Sequence, residues 1–377
     1  MDDREIDRLP ELDDINREYL EDYLDYLEGR ALKSSTIGIK TWKVFFFIKF
    51  FEFKDLETAT KEDIKKYHRH RRKNYSPHTV VNDILELRLF YEWLLPDQAE
   101  EFFRDIKTRR PKPELRDGEV IRAEDVAQLI AACDSQRDRA LIAVMWETGA
   151  RLSEIINLNV GSIEFDRYGA RALISGKTGQ RPIRLIDSAP DVQQWINMHP
   201  ARDDRGAPLF PNFRKPGGKE RLKARSVQNR LRTIAKRAGV TKRIHPHGFR
   251  HGRCTDAATF YTEPEMRAKF GWSRSSDMPA TYVHLSSRDV EKKDLMRAGL
   301  LDSEEDHTSP TAPIRCPRCK TFNPPDAKFC STCSMVLNQQ AADDLDAMQA
   351  DVAANPEALR RLVDERIRAL MGGESQQ

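Results

Sequence analysis

The sequence predicts a multidomain, mainly α-helical protein. A helical N-terminal domain is followed by a mixed α/β domain, mostly helical with a small β-sheet, and then by a small β module rich in cysteine and a helical tail. Apolar residues recur at helical spacing in most segments, and strand-like runs flank only one turn. At 377 residues the chain is also too long for a single core. We place the domains at residues 12–105, 118–300, 314–338 and 341–377.

The N-terminal domain is predicted to contain about four helices. Apolar residues at helical spacing over 15–27 predict the first, and a dense aromatic run over about 35–52 predicts a second that is buried on more than one side. Thr60 precedes two acids and indicates the start of a third helix. Ser76, which is followed by proline, indicates the start of a fourth.

The second domain is predicted to combine helices with one β-hairpin. An apolar helix over 141–146 stops at Gly149, and two strand-like runs flank a turn that puts Lys177 at the hairpin tip. A basic helix is predicted over 226–239. The segment 247–250 is predicted to open the next helix, so that its histidine and arginine face one way.

Charge is balanced overall but unevenly distributed. The chain has 63 Lys+Arg against 60 Asp+Glu, whereas residues 214–253 hold fourteen basic residues and one acid, and a second basic run covers 65–73. Two separated basic faces favour a polyanion that touches both halves of the protein, with solvated helix surface as the alternative. The predicted DNA-binding residues are Lys65, Lys66, Arg69, Arg71, Arg72, Lys73, Arg225, Arg230 and Arg232.

The sequence also indicates where the protein works. No apolar run approaches the roughly 18–20 residues of a membrane span, and the N-terminus does not resemble a signal peptide. Cys133 and Cys254 are isolated, which suits a reducing compartment. We therefore expect a cytoplasmic, DNA-associated protein with no membrane contact.

The remaining four cysteines form two C-x-x-C pairs separated by ten residues. This spacing predicts one tetrahedral zinc site in a small ribbon, and because the module is too small to fold by apolar burial, metal binding and folding should be coupled. Lys320 and Ser334 stand where such ribbons often carry glycine. Whether the ribbon contacts DNA or protein stays open. The predicted ligands are Cys316, Cys319, Cys330 and Cys333.

A candidate reaction centre is spread over four stretches of the second domain. A phosphodiester under attack needs fork-shaped donors for its non-bridging oxygens, a proton shuttle for the nucleophile and an acid for the leaving oxygen. Taken alone, each residue has an ordinary structural interpretation, since most tyrosines are half-buried aromatics and most hairpin lysines are solvated. In chain order, the residues that supply these groups are Arg151, Lys177, His247, Arg250 and the potential nucleophile Tyr282.

Together with Trp272, these residues resemble the catalytic set of the tyrosine recombinases, the phage-integrase and Xer-like family. The stretch 147–154 resembles the first-arginine box of that family, and 247–251 resembles the second. The stretch 76–94 is similar to its N-terminal SAM-like core-binding domain. The likeness covers about residues 12–300, and the form of the Trp272 to Tyr282 segment resembles archaeal members, although its ten-position spacing exceeds the usual nine by one.

The resemblance implies a covalent mechanism without ATP or a catalytic metal, so that zinc would be structural. Tyr282 would attack a backbone phosphate and form a 3′-phosphotyrosyl bond, while Arg151 and Arg250 stabilise the transition state and Lys177 protonates the 5′-oxygen. His247 would handle the tyrosine proton.

The remaining site residues have supporting roles in this scheme. Trp272 would donate its indole N–H or pack the site, and Glu154 would support the first arginine. Tyr261 is the nearest competitor to Tyr282 as nucleophile, but it precedes the tryptophan and fits the family pattern less well.

Three functions remain in competition at this point. The favoured one is a site-specific DNA recombinase that acts as a tetramer on two DNA sites, as the integrase or excisionase of a mobile element or as a resolvase of chromosome dimers. It would be a monomer or dimer when free and could use a directionality or accessory factor. The alternatives are a type IB topoisomerase and a non-catalytic DNA-binding regulator. The N-terminal domain and residues 288–301, which in the family often dock on a neighbour, favour recombination.

Overall fold

The computed structural model describes residues 12–108, 117–176, 179–213, 219–282, 294–295, 298, 309–354, 357 and 360–361. The chain divides into two units, one ending at Glu114 and the other beginning at Leu115. Helices dominate and the two β-sheets are small, so the predicted fold class is confirmed. The finer domain limits stay predictions. Within the described residues, no helix has the length and apolar character needed to cross a membrane.

The first unit contains five α-helices among its described residues, one more than predicted. The third begins after Thr60, whose hydroxyl accepts the backbone N–H of Asp63 while the Asp63 carboxylate accepts the N–H of Thr60. The fourth begins at Pro77 and is capped by Ser76, as predicted. The additional fifth helix also opens on a proline. The bounds of α1 to α5 are Asp14–Gly29, Ser34–Phe50, Lys61–Asn74, Pro77–Leu94 and Pro96–Phe103.

Aromatic rings fill the core of the first unit. Phe47 on α2 is fully buried, and its ring meets those of Tyr67 and Tyr91 edge-on, at centroid distances of 5.2 and 6.0 Å. Such edge-to-face pairs add to the free energy gained by burying the rings. The aromatic run of α2 therefore serves mainly as core, although Phe46 keeps 40% of its surface exposed.

The second unit surrounds a three-stranded antiparallel sheet with helices. The predicted hairpin is present, with Gly176 opposite Gly179, whereas its third strand was not predicted. The strands β1 to β3 are Ile163–Asp166, Gly169–Gly176 and Gly179–Leu185. The helices α6 to α13 are Ala123–Ala131, Gln136–Thr148, Leu152–Ile156, Ala189–Asn197, Ala224–Ala238, Pro246–Ala257, Glu263–Phe270 and Met278–Tyr282.

Helix α7 lies at the centre of this unit and is buried along most of its length. Near its C-terminus, the Glu147 carboxylate accepts the backbone N–H groups of residues 186–188 and the Ser188 hydroxyl, at 2.6 to 3.1 Å. The helix ends at Gly149, whose left-handed φ of 54° matches the predicted stop. These contacts fix the position at which the chain leaves α7 and enters the Arg151 segment.

The cysteine ribbon and the start of the tail belong to the same unit. The ribbon contains β4 and β5, and α14 follows it: Ile314–Arg315, Phe322–Asn323 and Gln339–Ala354. Helix α14 covers the helical stretch predicted around Leu345. The second helix predicted in the tail, over 359–370, lies outside the described residues apart from 360 and 361.

Within the second unit, the ribbon packs on helix α7 through an arginine that lies between two carboxylates. Arg139 of α7 donates its Nε to Asp191 at 3.0 Å, and its two Nη atoms to Asp326 of the ribbon at 2.8 and 2.6 Å. We call these three residues the Arg139 bridge. Nearby, the Thr311 hydroxyl lies 3.4 Å from the carboxylate of Asp187. The ribbon therefore has a protein contact within its own chain.

Candidate active site

Arg250 joins the ends of two helices at the centre of the site. Its side chain is 5% exposed, and its two Nη atoms donate to the carbonyl oxygens of Gly149 and Phe270, at 2.9 and 2.8 Å. These residues end α7 and α12. The guanidinium carbon also lies 5.4 Å from the centre of the Trp272 ring. Arg250 thus brings together three segments that the sequence predicted to supply site residues.

Arg151 is fixed by a carboxylate that it shares with a second arginine. Glu154 is 3% exposed and accepts the Arg151 backbone N–H and Nη1, each at 3.0 Å, and Nη2 of Arg181 at 2.8 Å. We call these three residues the Glu154 bridge. Burial opposes the charge on Glu154, but the hydrogen bonds from Arg181 and Arg151 outweigh it and lower its pKa. Glu154 is therefore a carboxylate at neutral pH.

The Glu154 bridge contains one residue that the sequence reasoning missed. Arg181 lies on β3, 27 positions beyond Glu154, and its side chain is 12% exposed. No local spacing signals a contact over that separation. Arg151, by contrast, keeps 38% of its side chain exposed.

Tyr282 is buried beside Trp272 at the C-terminal end of α13. The tyrosine is 8% exposed, and the two rings stack with centroids 5.8 Å apart and an interplanar angle of 9°. Its hydroxyl lies 2.5 Å from Nδ1 of His251. His251 in turn meets His247 edge-on, with ring centroids 4.3 Å apart. Burial raises the pKa of Tyr282, so the phenol is neutral.

His251 is the second residue that was missed. It was noted only as part of the box 247–251, although its position one turn beyond His247 on a helix was a usable signal, because side chains at i and i+4 share a face. The tyrosine whose hydroxyl makes this contact is 31 positions away.

A single arginine organises the turn between Trp272 and α13. Nη1 of Arg267 donates to the carbonyl oxygens of Ser273, Arg274 and Ser276, at 2.9, 3.0 and 2.8 Å. The turn begins after Gly271, whose φ is 63° and whose Cβ, if it had one, would lie 2.7 Å from Nη1 of Arg181. The unusual spacing between Trp272 and Tyr282 is thus accommodated in an ordered turn.

A cavity of about 790 Å³ opens beside the two arginines. Arg151, His247 and Arg250 line it, and so do four further basic residues: Arg232, Lys236, Lys242 and Arg243. Burial, followed by the charges of Arg250, His245 and Arg151, lowers the pKa of His247. Its imidazole is therefore neutral near pH 7 and can accept a proton. The cavity has the charge to receive an anionic group.

Two predicted features lie outside the described residues. Lys177 is not among the described residues, and the stretch 288–301 is described only at 294, 295 and 298. Tyr261, the competing tyrosine, lies against Phe260 with ring centroids 4.6 Å apart and has the Lys269 ammonium 5.4 Å from its ring centre.

The structure divides the predicted DNA-binding residues. Arg71 does not lie at the surface as predicted. It is 5% exposed, forms an ion pair with Asp83 and has the Tyr75 ring 3.6 Å from its guanidinium carbon. Arg71 is therefore a core residue of the first unit. Most of the others lie at the surface, where acids pair with Lys65, Lys66, Arg69 and Arg230. Two of the predicted residues, Lys65 and Arg230, are half-buried, and the exposed ones are Lys66, Arg69, Arg72, Lys73, Arg225 and Arg232.

Comparison with known proteins identifies the family. The profile described as "Phage integrase family" matches residues 119–288, and that described as "Phage integrase, N-terminal SAM-like domain" matches residues 19–101. The chain belongs to this family, the tyrosine recombinases, as the sequence predicted. More narrowly, it is similar to the Xer recombinases: tyrosine recombinase XerA of Pyrococcus furiosus is 27% identical over 243 residues, which are 64% of this chain and 80% of XerA.

Solved structures share the fold at low sequence identity. The crystal structure of XerH in a pre-cleavage complex with its difH substrate has a TM-score of 0.54 at 16% identity, and covers 73% of this chain and 83% of XerH. The structure of a lambda integrase tetramer bound to a Holliday junction also has a TM-score of 0.54, at 14% identity, and covers 69% of this chain and 78% of that integrase.

Proposed function

We propose that this tyrosine recombinase cleaves and rejoins DNA through a covalent bond between Tyr282 and a 3′-phosphate. The phenol gives its proton to His247 and its oxygen attacks the phosphorus, while the bond to the 5′-oxygen breaks and that oxygen takes a proton from Lys177. Arg151 and Arg250 hold the non-bridging oxygens. A 5′-hydroxyl from a second strand reverses the step and completes recombination.

One observation carries this proposal: the segments that bear Arg151, His247, Arg250, Trp272 and Tyr282 meet one another beside a basic cavity that Arg151, His247 and Arg250 line. Arg250 contacts the segments of Arg151 and Trp272, and Trp272 stacks on Tyr282. The bond energy is conserved in the phosphotyrosine, so neither ATP nor a catalytic metal is needed. Family membership favours this function over a topoisomerase or a regulator.

The partner in this proposal is double-stranded DNA. Four copies of the chain form a homotetramer, and each copy binds DNA through both of its units. The exposed arginines of α10, Arg225 and Arg232, and those of α3 supply phosphate contacts, which position a duplex without reading its sequence. The lambda integrase tetramer on a Holliday junction is a relative with that assembly. Whether the reaction integrates, excises or resolves dimers follows from the target site.

We also propose that the four ribbon cysteines hold one structural zinc ion. Their sulfur atoms all lie within 4.8 Å of one another, with Cys316 and Cys333 at 3.6 Å and Cys319 and Cys330 at 3.5 Å. Tetrahedral Zn–S bonds of about 2.3 Å place sulfurs a little under 4 Å apart, much farther than the roughly 2 Å of a disulfide. Asn323 is buried and its amide nitrogen lies 3.7 Å from the Cys330 sulfur, which suits a donor to a metal-bound thiolate.

The decisive experiment uses nicked suicide substrates made from DNA on either side of the gene. Wild type, Tyr282→Phe and the matched control Tyr261→Phe are incubated with them, without metal or ATP, and resolved on a denaturing gel. We expect a protein-linked band from wild type and Tyr261→Phe but not from Tyr282→Phe. Labelling each DNA end separately then identifies the 3′ linkage.

Other results would change the assignment. Loss of the band in Tyr261→Phe alone would move the nucleophile to that residue. Sequence-specific binding with no covalent band from any protein would favour the regulator. Relaxation of a supercoiled plasmid that lacks the site, with the same Tyr282 dependence, would favour the topoisomerase.

A further inference from the structure

The hydroxyl of Tyr282 contacts His251, and Tyr282 is not among the residues that line the cavity. His251 accepts it at 2.5 Å, and the ring is covered by Trp272. Arg151, His247 and Arg250 line the cavity of about 790 Å³, whereas Tyr282, His251 and Trp272 do not. The hydroxyl is therefore engaged with His251 rather than with the cavity in which a phosphate would lie between the two arginines.

The contact joins two neutral groups. Burial, followed by His247, His245 and Arg250, lowers the pKa of His251 to about 4, and burial raises the pKa of Tyr282. The proton accordingly stays on the phenol oxygen, and Nδ1 of His251 is the acceptor. A base with so low a pKa is poorly matched to a phenol, so His251 is better suited to hold the hydroxyl than to deprotonate it.

We propose that His251 is a positioning residue for the nucleophile: it holds Tyr282 outside the cavity in the DNA-free protein, and the phenol leaves this contact to attack. The inference rests on the proposed function, because only a nucleophilic Tyr282 has to be released. It assigns to the second histidine of the box a role separate from that of His247, which lines the cavity.

Removal of the acceptor should destabilise the held position. A buried hydroxyl without a partner is costly, whereas in solvent it is satisfied by water. His251→Leu removes the acceptor at similar volume. His251→Asn retains an oxygen acceptor at a short side chain and is the conservative control. The equilibrium between the held and released phenol should shift by roughly tenfold in the leucine variant and by little in the asparagine variant.

The experiment places 3-fluorotyrosine at position 282 of the full chain and needs no DNA. Fluorine NMR with a soluble gadolinium chelate measures how far the ring is exposed in wild type, His251→Leu and His251→Asn. We expect relaxation by the chelate to rise severalfold or more in His251→Leu and to stay near the wild-type value in His251→Asn. His251→Ala replaces the leucine variant if circular dichroism indicates that the latter does not fold.

Two results would overturn the inference. One is a fluorine signal equally protected in wild type and in the variant without an acceptor. The other is equal exposure in His251→Asn and His251→Leu, since the acceptor atom would then not be what holds the phenol. Failure of the proposed function is recorded separately, by the absence of a Tyr282-dependent covalent band from the wild type on the suicide substrate.

Discussion

Two charge bridges in the second unit have opposite composition. In the Glu154 bridge one carboxylate lies between two arginines, whereas in the Arg139 bridge one arginine lies between two carboxylates. The first holds Arg151 at a cavity, with 38% of its side chain exposed. The second fastens a module, and every nitrogen of its arginine is used: besides the two carboxylates, Nη1 also donates to the carbonyl oxygen of Ile130.

The two bridges also differ in how well their buried acid is compensated. Burial is the largest influence on both Glu154 and Asp191, yet hydrogen bonds from two arginines and a backbone N–H lower the pKa of Glu154, while the pKa of Asp191 stays raised beside its single arginine. An arginine that pairs with a fully ionised carboxylate can use some of its N–H groups for that pair and leave the others to bind a ligand. An arginine whose donors are all used by protein groups can only hold the structure together.

The largest effect is expected from Glu154→Gln, which removes the charge at the centre of the site bridge. Arg181 would be left buried without its counter-charge, which costs about 3 kcal/mol in the free energy of unfolding. Misplacement of Arg151 should slow single-turnover cleavage about 100-fold. Urea unfolding and the suicide substrate measure the two effects, with the exposed acid Glu164→Gln as the control. Cleavage at the wild-type rate would mean that the bridge does not position Arg151.

Replacing Asp187, near the ribbon, by its amide should stabilise the protein, whereas the same change at Glu154 should destabilise it. Burial, followed by the charge of Glu147, raises its pKa to about 6, so the folded protein holds this proton more tightly than the unfolded chain. Stability is therefore greatest while the group is protonated and is lost as the pH rises from about 4 to 6. Asp187→Asn should stabilise the protein at pH 7 by about 1–2 kcal/mol and by almost nothing at pH 4. The asparagine oxygen can still accept from Thr311.

Urea titrations of Asp187→Asn at pH 7 and pH 4 measure this difference, with the exposed Asp203→Asn as the control. An equal gain at both pH values would point to packing rather than charge. A loss of stability at pH 7 would mean that the carboxylate is compensated by Arg253 and Lys269 in the folded protein.

Asp326→Asn tests the outer half of the Arg139 bridge and should have a smaller effect. The Asp326 side chain is 42% exposed, so its ion pair contributes about 1 kcal/mol or less. We propose that docking favours the ribbon fold that binds zinc, so zinc release to a chromogenic chelator should become roughly fivefold faster, with cleavage unchanged. Asp346→Asn on α14 is the control. An unchanged release rate would indicate that docking and metal binding are independent.

Removal of the metal ligands tests whether cleavage at the active site depends on the ribbon. Cys316→Ser combined with Cys330→Ser should abolish bound zinc, measured by elemental analysis, and leave cleavage of a half-site measurable. Loss of cleavage while the fold of residues 1–300 is intact would contradict a purely accessory ribbon.

Local signals in the sequence predicted most of the fold. Thr60, Ser76 and Gly149 each form a capping hydrogen bond with a residue three or four positions away. The helix ends that they set could therefore be predicted. The extra helix α5 also opens on proline and was recognisable. The four-residue β1 was not, because so short a strand carries too few residues to display alternation.

The order of motifs predicted the family, but contacts over long sequence separations were not predicted. Arg181 and His251 reach Glu154 and Tyr282 across 27 and 31 positions, and spacing within a segment does not encode such pairs. Arg71 was misassigned to a basic surface for the same reason, because its partner Asp83 lies on the next helix. Charge along a helix indicates exposure only when no acid from another element neutralises it.

The smallest effect on stability is expected in the ribbon, at a position where the sequence motif alone indicated a backbone conformation that favours glycine. Ser334 was expected to stand where ribbons carry glycine, and its φ is 56°, in the left-handed region that disfavours a side chain. Ser334→Gly should therefore stabilise the zinc-bound ribbon by about 0.5–1 kcal/mol and slow zinc release by two- to fivefold. Ser331→Gly, outside that region, is the control and should not slow release. Slower release in the control but not in Ser334→Gly would mean that backbone strain does not limit the stability of the ribbon.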